Sequence, residues 1–149
     1  MTRLGTALGG VTRLGLDTAP VVYLVEMHPR YGPLVLEIFD RMARGRLRAV
    51  TSVVTLAEVL VRPFQRGDVR LEASYRNLLQ RSANVDLLPI ADEVAARAAE
   101  LRARYRLRLA DALQVALALQ ASCEAFLTND LTLRRVTELR ILLLDELEI

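Results

Sequence analysis

The 149-residue chain contains no lysine, because all twenty of its basic residues are arginine. The absence of lysine excludes a Schiff-base lysine, a Walker lysine and a lysine general base. With one cysteine and one histidine, His28, the chain cannot build a cysteine-rich or two-histidine zinc site, and it can supply at most one member of a histidine-based triad. Carboxylates are therefore the side chains most able to build a reactive site.

Charge, cysteine content and hydropathy give further limits. The formal net charge is +2 at pH 7, so any basic surface for nucleic acid must be local. The single cysteine, Cys123, excludes an internal disulfide, which suits a reducing cytoplasm. The longest apolar run is far shorter than the ~18 residues that a membrane span needs. We therefore expect a cytoplasmic protein with no membrane association.

Short apolar runs that alternate with helical segments predict an α/β fold with three layers, in which helices cover both faces of a parallel sheet. Residues 1–10, with three glycines, are expected to be a flexible leader, and residues 11–149 a single domain. The predicted strands are 11–16, 47–51, 85–90, 125–127 and 141–144. The predicted helices are 19–26, 34–43, 53–61, 68–81, 92–105 and 109–121, with a short helix after Asp130. Pro63 is expected to end the third of these helices.

Two aspartates come after predicted strands, Asp17 directly after the first and Asp130 shortly after the fourth. Asp17 ends the run VTRLGLD, and Asp130 ends the run AFLTND. In an open parallel sheet, ligands bind beyond the carboxyl ends of the strands, where the strand order reverses. Either aspartate could instead serve only as a helix N-cap, which is worth about 1 kcal/mol. The sequence leaves both roles open.

Two further acids interrupt helices that are apolar around most of their circumference. Glu58 lies in SVVTLAEVLV, and Asp111 lies in LADALQVALALQA, where Gln114 makes a narrow polar notch with it. Such helices are expected to be buried, and a buried carboxylate needs a cation, a proton or a metal ion. An arginine partner for Glu58 and the helix dipole for Asp111 are the alternatives to a metal.

Four carboxylates that converge would repel one another and raise one another's pKa values unless cations neutralised them. A divalent ion resolves this conflict, and Mg²⁺ or Mn²⁺ prefers hard oxygen ligands together with several waters. Such ions activate water and stabilise the transition state of phosphodiester cleavage. The acids therefore favour a metal-dependent hydrolase.

Four segments together resemble the PIN-domain nucleases, in particular the VapC-type toxins and their relatives in bacteria and archaea. The matching segments are LDTAPVVYLVE with Asp17, TSVVTLAEVLVRP with Glu58, LADALQVALAL with Asp111, and FLTND with Thr128 and Asp130. Each fragment is a weak signal by itself, but the four occur in the order and spacing of the family. The resemblance covers nearly all of the chain from Leu16 onward.

The resemblance implies a three-layer fold with a central parallel sheet of strand order 3-2-1-4-5. It also implies a catalytic metal pocket for Mg²⁺ or Mn²⁺, formed by Asp17, Glu58, Asp111 and Asp130 with Thr128 and Asn129 as polar support. Family members cleave RNA, and many are toxins held inactive by a small cognate antitoxin. We therefore expect a metal-dependent endoribonuclease whose partners are an RNA substrate, a cognate antitoxin and a second copy of the chain in a homodimer.

Arginine clusters at residues 41–48 and 97–108 could follow an RNA backbone through phosphate contacts. A solvated helix face is the alternative explanation for such runs. If RNA binds, Arg104 and Arg108 are favoured by their spacing of four residues and their closeness to Asp111.

Two other functions fit parts of the pattern. An aspartyl phosphatase or receiver-like domain also places an acid after its first strand, but such a phosphatase needs another Asp where Ala19 stands, and both classes use a lysine. A catalytically silent PIN fold that binds RNA or a protein partner could carry the same four acids. Stabilisation by Mn²⁺ would separate an enzyme from such a binding module.

Overall fold

The computed structural model describes residues 1–149, which form seven strands and eight α-helices. The strands are β1 (Thr2–Arg3), β2 (Arg13–Leu16), β3 (Arg48–Ser52), β4 (Val85–Leu88), β5 (Ala125–Thr128), β6 (Arg140–Leu143) and β7 (Leu147–Glu148). The helices are α1 (Leu4–Ala7), α2 (Thr18–Val25), α3 (Gly32–Ala43), α4 (Val53–Val59), α5 (Val61–Arg66), α6 (Val69–Arg81), α7 (Asp92–Tyr105) and α8 (Leu109–Gln120). Two 3₁₀ helices span Leu131–Arg135 and Leu144–Glu146. None of the helices has the length and apolarity needed to cross a membrane.

Five strands form the central sheet in the order β4-β3-β2-β5-β6, and every neighbouring pair is parallel. Counted along the chain from β2, this order is 3-2-1-4-5, so the predicted fold class and strand order are confirmed. The strand order reverses between β2 and β5, where Leu16 lies opposite Leu127. The carboxyl ends of these two central strands therefore lie side by side.

Two apolar cores cover the two faces of the sheet. One core contains Leu16 of β2 and Tyr75 of α6, and the other contains Val115 of α8. Phe126 and Leu127, neighbours in β5, belong to different cores, as the alternation of side chains along a strand requires. The protein therefore has the three layers expected of helices packed on both faces of a parallel sheet.

Gly15 of β2 allows α8 to lie close to the sheet. A Cβ atom at this position would come within 2.7 Å of Phe126 Cδ1 and 2.9 Å of Ala118 Cβ. A larger residue would force the strand and the helix apart. This close contact fixes α8, and with it Asp111, against the centre of the sheet.

The first ten residues are ordered, whereas their glycines predicted a flexible leader. β1 pairs in parallel with β7, with Thr2 opposite Leu147. Leu4 of α1 is 1% exposed and belongs to a core, and Arg140 donates a hydrogen bond to the Ala7 carbonyl at 2.7 Å. The partners of this segment lie at the other end of the chain, so its local composition does not reveal them.

Pro63 was predicted to end a helix, but it lies within α5. It is the third residue of α5, in a first turn whose N–H groups have no helical partner, so the proline removes no helical hydrogen bond. Leu60, between α4 and α5, keeps a near-helical backbone with φ −81° and ψ −11°. The two short helices therefore follow one another with little change of backbone conformation.

Candidate functional site

Asp17 follows β2 at the carboxyl end of the strand and is 9% exposed. Its Oδ1 accepts a hydrogen bond from the backbone N–H of Thr18 at 2.8 Å, so that it caps α2. Its Oδ2 accepts a hydrogen bond from Thr128 Oγ1 at 2.7 Å. Asp17 therefore has both the strand-end position predicted for a site and the capping role that was the alternative.

Asp130 is the second residue after β5 and also lies at the carboxyl end of its strand. Its Oδ1 accepts hydrogen bonds from the backbone N–H of Thr132 at 2.9 Å and from Thr132 Oγ1 at 2.8 Å, which caps the first 3₁₀ helix. The backbone N–H of Asp130 donates to Thr128 Oγ1 at 3.1 Å, and that hydroxyl donates to Asp17. Thr128 therefore links the two strand-end aspartates.

Asn129 holds neighbouring segments together and does not contact the acids. Its Oδ1 accepts a hydrogen bond from the backbone N–H of Asp145 at 3.0 Å, and its Nδ2 donates to Tyr23 Oη at 3.4 Å. These bonds join the turn after β5 to α2 and to the second 3₁₀ helix. Asn129 therefore supports the candidate site only indirectly, by holding the segments beside it.

Glu58 is exposed, which corrects the prediction that it is buried. α4 has only seven residues and buries Thr55 and Val59, while Glu58 faces solvent. The apolar residues around it predicted burial, yet Val53 and Val61 are themselves 39% and 50% exposed. No arginine pairs with Glu58.

A buried polar network lies behind Glu58. Gln114, which is 3% exposed, donates from Nε2 to Thr55 Oγ1 at 2.5 Å and to Thr18 Oγ1 at 3.4 Å, and its Oε1 accepts from Ser52 Oγ at 2.5 Å. Thr18 Oγ1 in turn donates to Glu58 Oε1 at 2.6 Å. The carboxylate can only accept, so the hydroxyl proton of Thr18 points toward Glu58 and the network has one direction.

Gln114 was predicted to be part of a polar notch, but its hydrogen-bonded network with Thr18, Ser52 and Thr55 was not predicted. Ser52 also caps α4 by accepting a hydrogen bond from the backbone N–H of Val54 at 3.0 Å. The signal that could have revealed the network was the pair Ser52 and Thr55. Residues three apart at the start of an apolar helix share one face, so their hydroxyls are close together.

Asp111 is the third residue of α8 and is partly buried. Desolvation is the largest cause that raises the pKa of Asp111 to about 6, and the negative charges of Asp17 and Asp130 add to the effect. Glu58 adds a smaller contribution, whereas the nearby Arg108 acts in the opposite direction. The four acids predicted from the sequence thus share one electrostatic environment, although four different parts of the chain supply them.

Asp17 is affected in the same direction. Its burial raises the pKa of the Asp17 carboxyl, and the charges of Glu58 and Asp130 also raise it. The hydrogen bonds from Thr128 and Thr18 oppose this shift without cancelling it. None of the ion pairs in the structure includes any of the four acids. The cluster therefore concentrates negative charge without a paired arginine.

The chemistry of these carboxylates suits a hard divalent cation, although their present geometry does not form a ligand cage. No three acidic side chains come close enough together to hold one ion as they stand. Asp17, Glu58 and Asp130 each accept a hydrogen bond from a neighbouring amide or hydroxyl. A carboxylate has about four acceptor sites, so each of these side chains can keep its hydrogen bond and still offer an oxygen to an ion.

Their spacing of four residues predicted that Arg104 and Arg108 lie on one face of a helix, but the structure does not place them so. Arg106, between them, has a left-handed backbone with φ 56°, which ends α7. Arg104 Nη1 pairs with Glu138 at 3.1 Å. Arg108 is exposed at the start of α8 and acts on the pKa of Asp111, so of the two only Arg108 borders the acids.

The family model of the PIN domain matches residues 15–139 of the chain. The chain belongs to the PIN domain family. The matched range includes all four acids, and the family expected from the sequence motifs is confirmed. Membership supports nuclease activity, and PIN nucleases generally use divalent metal ions. No curated protein sequence matches the chain.

Solved structures with a similar fold come from toxin–antitoxin systems. A toxin–antitoxin complex from Klebsiella pneumoniae has a TM-score of 0.69 at 21% identity, over 89% of this chain and 98% of that chain. VapBC2 from Rickettsia felis, bound to a promoter DNA fragment, has a TM-score of 0.68 at 17% identity, over 88% and 98%. VapC20 from Mycobacterium tuberculosis, described as a toxin that cleaves the sarcin–ricin loop, has a TM-score of 0.64 at 16% identity, over 87% and 99%. At these identities the similarity is one of fold.

Proposed function

We propose that this PIN domain protein is a Mg²⁺- or Mn²⁺-dependent endoribonuclease of the VapC type. The observation that carries the proposal is that Asp17, Glu58, Asp111 and Asp130 share one environment without a paired arginine. Acids whose pKa values are raised on folding reduce stability when they are ionised, so a ligand that offsets the repulsion is expected. A hard divalent ion is the ligand that carboxylate oxygens bind well.

The four carboxylates would hold the metal ion. When bound, such an ion supplies a water activated near neutral pH and stabilises charge on the attacked phosphate. Thr128 would keep Asp17 and Asp130 at a fixed separation, because it bonds to both. Thr18 would orient the Glu58 carboxylate through the hydroxyl that the buried network directs toward it.

The proposal includes partners that the structural relatives suggest. VapC20 is described as cleaving the sarcin–ricin loop, which supports RNA as the substrate class. The complexes from Klebsiella pneumoniae and Rickettsia felis support a cognate antitoxin that holds the nuclease inactive. The family resemblance adds a homodimer, and the single cysteine suits action in a reducing cytoplasm. Arg108, exposed beside Asp111, is the arginine best placed to contact an RNA phosphate near the site.

A catalytically silent PIN fold that binds RNA or a protein partner is the rival function. The observation in its favour is that no three of the carboxylates converge on one point. The two functions differ in their dependence on divalent ions. An enzyme loses cleavage when a ligand carboxylate is replaced, whereas a binding module has no cleavage to lose.

The test compares Asp17→Asn and Asp111→Asn with Asp40→Asn, a control on α3 whose side chain is exposed and makes no ion pair. We expect each of the first two changes to reduce Mn²⁺-dependent cleavage of single-stranded RNA by at least about 100-fold, since metal ligands support several kcal/mol of transition-state stabilisation. Circular dichroism should show an unchanged fold. Cleavage at the wild-type rate by both variants would remove the proposal, and RNA binding without any cleavage by the wild type would favour the silent module.

A further inference from the structure

A cleft opens beside Glu58, between α2 and the pair α4 and α5. Its volume is about 310 Å³, and its lining includes Val22 of α2 and Glu26 at the C-cap of that helix, together with Glu58 and Arg62. The cleft shares Glu58 with the acid cluster, so a chain bound at the cluster can continue directly into it. Of the groups that line the cleft, Arg62 is the only cation.

Two rows of side chains lead away from the acid cluster along this cleft. Thr18 and Val22 of α2 and Glu26 at its C-cap follow one another at intervals of four residues, and residues at this spacing share one helix face. Glu58 and Arg62 are also four residues apart, across the near-helical junction between α4 and α5. Four residues of helix rise about 6 Å, which is of the order of the spacing between successive phosphates in an extended strand.

The far end of the cleft holds Arg62 in place while leaving its guanidinium accessible. The hydroxyl of Tyr75 donates a hydrogen bond to Glu26 Oε2, and Tyr75 is 1% exposed. Burial and this hydrogen bond raise the pKa of Tyr75, so its hydroxyl remains a donor. Arg62 Nη1 lies 3.4 Å from Glu26 Oε1, and its side chain is 56% exposed. The guanidinium therefore keeps free N–H groups that can bind another anion.

Apart from the amide of Gln65, the remaining walls of the cleft are formed by valine side chains and the ring of Tyr75. Val22, Val59 and Val61 line the cleft between its two charged ends, and Val61 is 50% exposed. Apolar walls with a cation at one end suit a group that combines a flat, weakly polar body with one negative charge. A nucleotide has this chemistry, since its base and sugar can contact valine side chains while its phosphate binds a guanidinium.

We infer that this cleft binds the nucleotide next to the cleaved phosphodiester of a single-stranded RNA, with Arg62 contacting the phosphate on the far side of that nucleotide. The inference rests on the proposed function, because the acid cluster defines where the cleaved bond lies. Glu26 acts as a positioning residue, since it touches Arg62 and not the RNA. Its carboxylate also competes with the phosphate for the guanidinium.

The test measures binding of a short single-stranded RNA by fluorescence anisotropy in EDTA, which removes the divalent ions that cleavage would need. We expect Arg62→Ala to weaken binding about tenfold at low salt and to reduce the slope of log K against log salt by about 0.7, because one phosphate contact is lost. Arg66→Ala is the matched control, since Arg66 is exposed on the same helix, makes no ion pair and does not line the cleft. It should bind RNA as the wild type does.

Glu26→Gln should have the opposite effect and tighten RNA binding, because it removes the competing charge but retains an acceptor for Tyr75. Loss of structure in the cleft would weaken binding in both variants, so opposite shifts support the inference. Equal RNA affinity for Arg62→Ala and Arg66→Ala would overturn the inference that the cleft binds RNA. The same equality is expected if the cleft binds a protein partner.

Cleavage assays separate this inference from the proposed function. With Mn²⁺ and unmodified RNA, Arg62→Ala should raise KM about tenfold and leave kcat nearly unchanged, because a contact made equally in the ground and transition states affects binding alone. A wild-type protein that binds RNA through Arg62 but does not cleave it would refute the nuclease and retain the cleft. Normal cleavage with an unchanged KM for Arg62→Ala would refute the cleft and retain the nuclease.

Discussion

The two ends of strands β2 and β5 hold carboxylates in opposite circumstances. At the amino ends, Glu124 accepts hydrogen bonds from Thr12 N at 3.1 Å, Thr12 Oγ1 at 2.8 Å and Arg13 N at 2.8 Å. Desolvation alone would raise the pKa of Glu124, but these hydrogen bonds outweigh it and lower the pKa. At the carboxyl ends, burial and neighbouring acids raise the pKa values of Asp17 and Asp111.

This difference separates a carboxylate that stabilises the fold from carboxylates that the fold merely accommodates. A lowered pKa means that folding favours the ionised acid, and a raised pKa means that folding opposes it. Glu124 closes the gap between the starts of two strands. Asp17 and Asp111, at the other end, reduce stability when ionised, so the fold does not explain why the acids are grouped, whereas the proposed metal site does.

Among substitutions at the carboxyl end that retain all four acids, Gln114→Met should have the largest effect on the free energy of unfolding. It should lower the free energy of unfolding by about 2–4 kcal/mol, because the buried hydroxyls of Ser52 and Thr55 lose their amide partner. Urea denaturation measures the effect. Gln120→Met, at the exposed end of the same helix, is the control and should stay within about 0.5 kcal/mol of the wild type. Equal midpoints for the two variants would mean that the network does not support the site.

Binding of Mn²⁺ should offset the loss of folding stability that repulsion among the four acids causes. At about 100 times its dissociation constant, an ion that binds only the folded state adds about 2.7 kcal/mol to the free energy of unfolding. Thermal unfolding in Mn²⁺ and in EDTA measures this gain, which Glu124→Gln should keep and Asp111→Asn should lose. The same gain in Asp111→Asn would show that the ion binds elsewhere.

The central sheet and the chain positions of the site could be predicted because both depend on local patterns. Apolar runs mark β2 through β6, and the residues after β2 and β5 reach the reversal of strand order in any open parallel sheet. Asp17 and Asp130 could therefore be placed from the sequence. Their capping hydrogen bonds were also foreseen, since an acid before a helix is a common N-cap.

The features that the sequence did not predict depend on distant partners or on the edge of an element. The strand β1 exists because it pairs with β7 at the other end of the chain. Asn129 takes its role from Tyr23 and Asp145, neither of which is near it in sequence. Glu58 is exposed because α4 is a short helix with its outer side uncovered, and apolar periodicity cannot show where packing stops.

Asp111→Asn should stabilise the metal-free protein at neutral pH. The pKa of Asp111 is about 6 in the folded protein and near 3.9 when unfolded, so the folded state binds more protons between these values. Wild-type stability should therefore fall as the pH rises from about 4 to about 6. The variant should lack the part of this loss that comes from Asp111, whereas Asp17, whose pKa is also raised, keeps its own part. The expected gain at neutral pH in EDTA is about 1–2 kcal/mol, because Asp111 is only partly buried. Asp40→Asn serves as the control and should follow the wild type.

Glu124→Gln should produce the smallest effect, with the opposite sign. The exposed Glu124 is screened by solvent, so its charge should contribute about 0.5–1 kcal/mol above pH 5. Because its folded pKa is lowered, this contribution should disappear as the pH falls below the unfolded value of about 4.3 and through the folded one. Urea denaturation across this range, with the exposed Glu148→Gln as control, measures it. If Glu124→Gln and Asp111→Asn changed stability in the same direction at neutral pH, the two ends of the sheet would not differ as their hydrogen bonds and charges require.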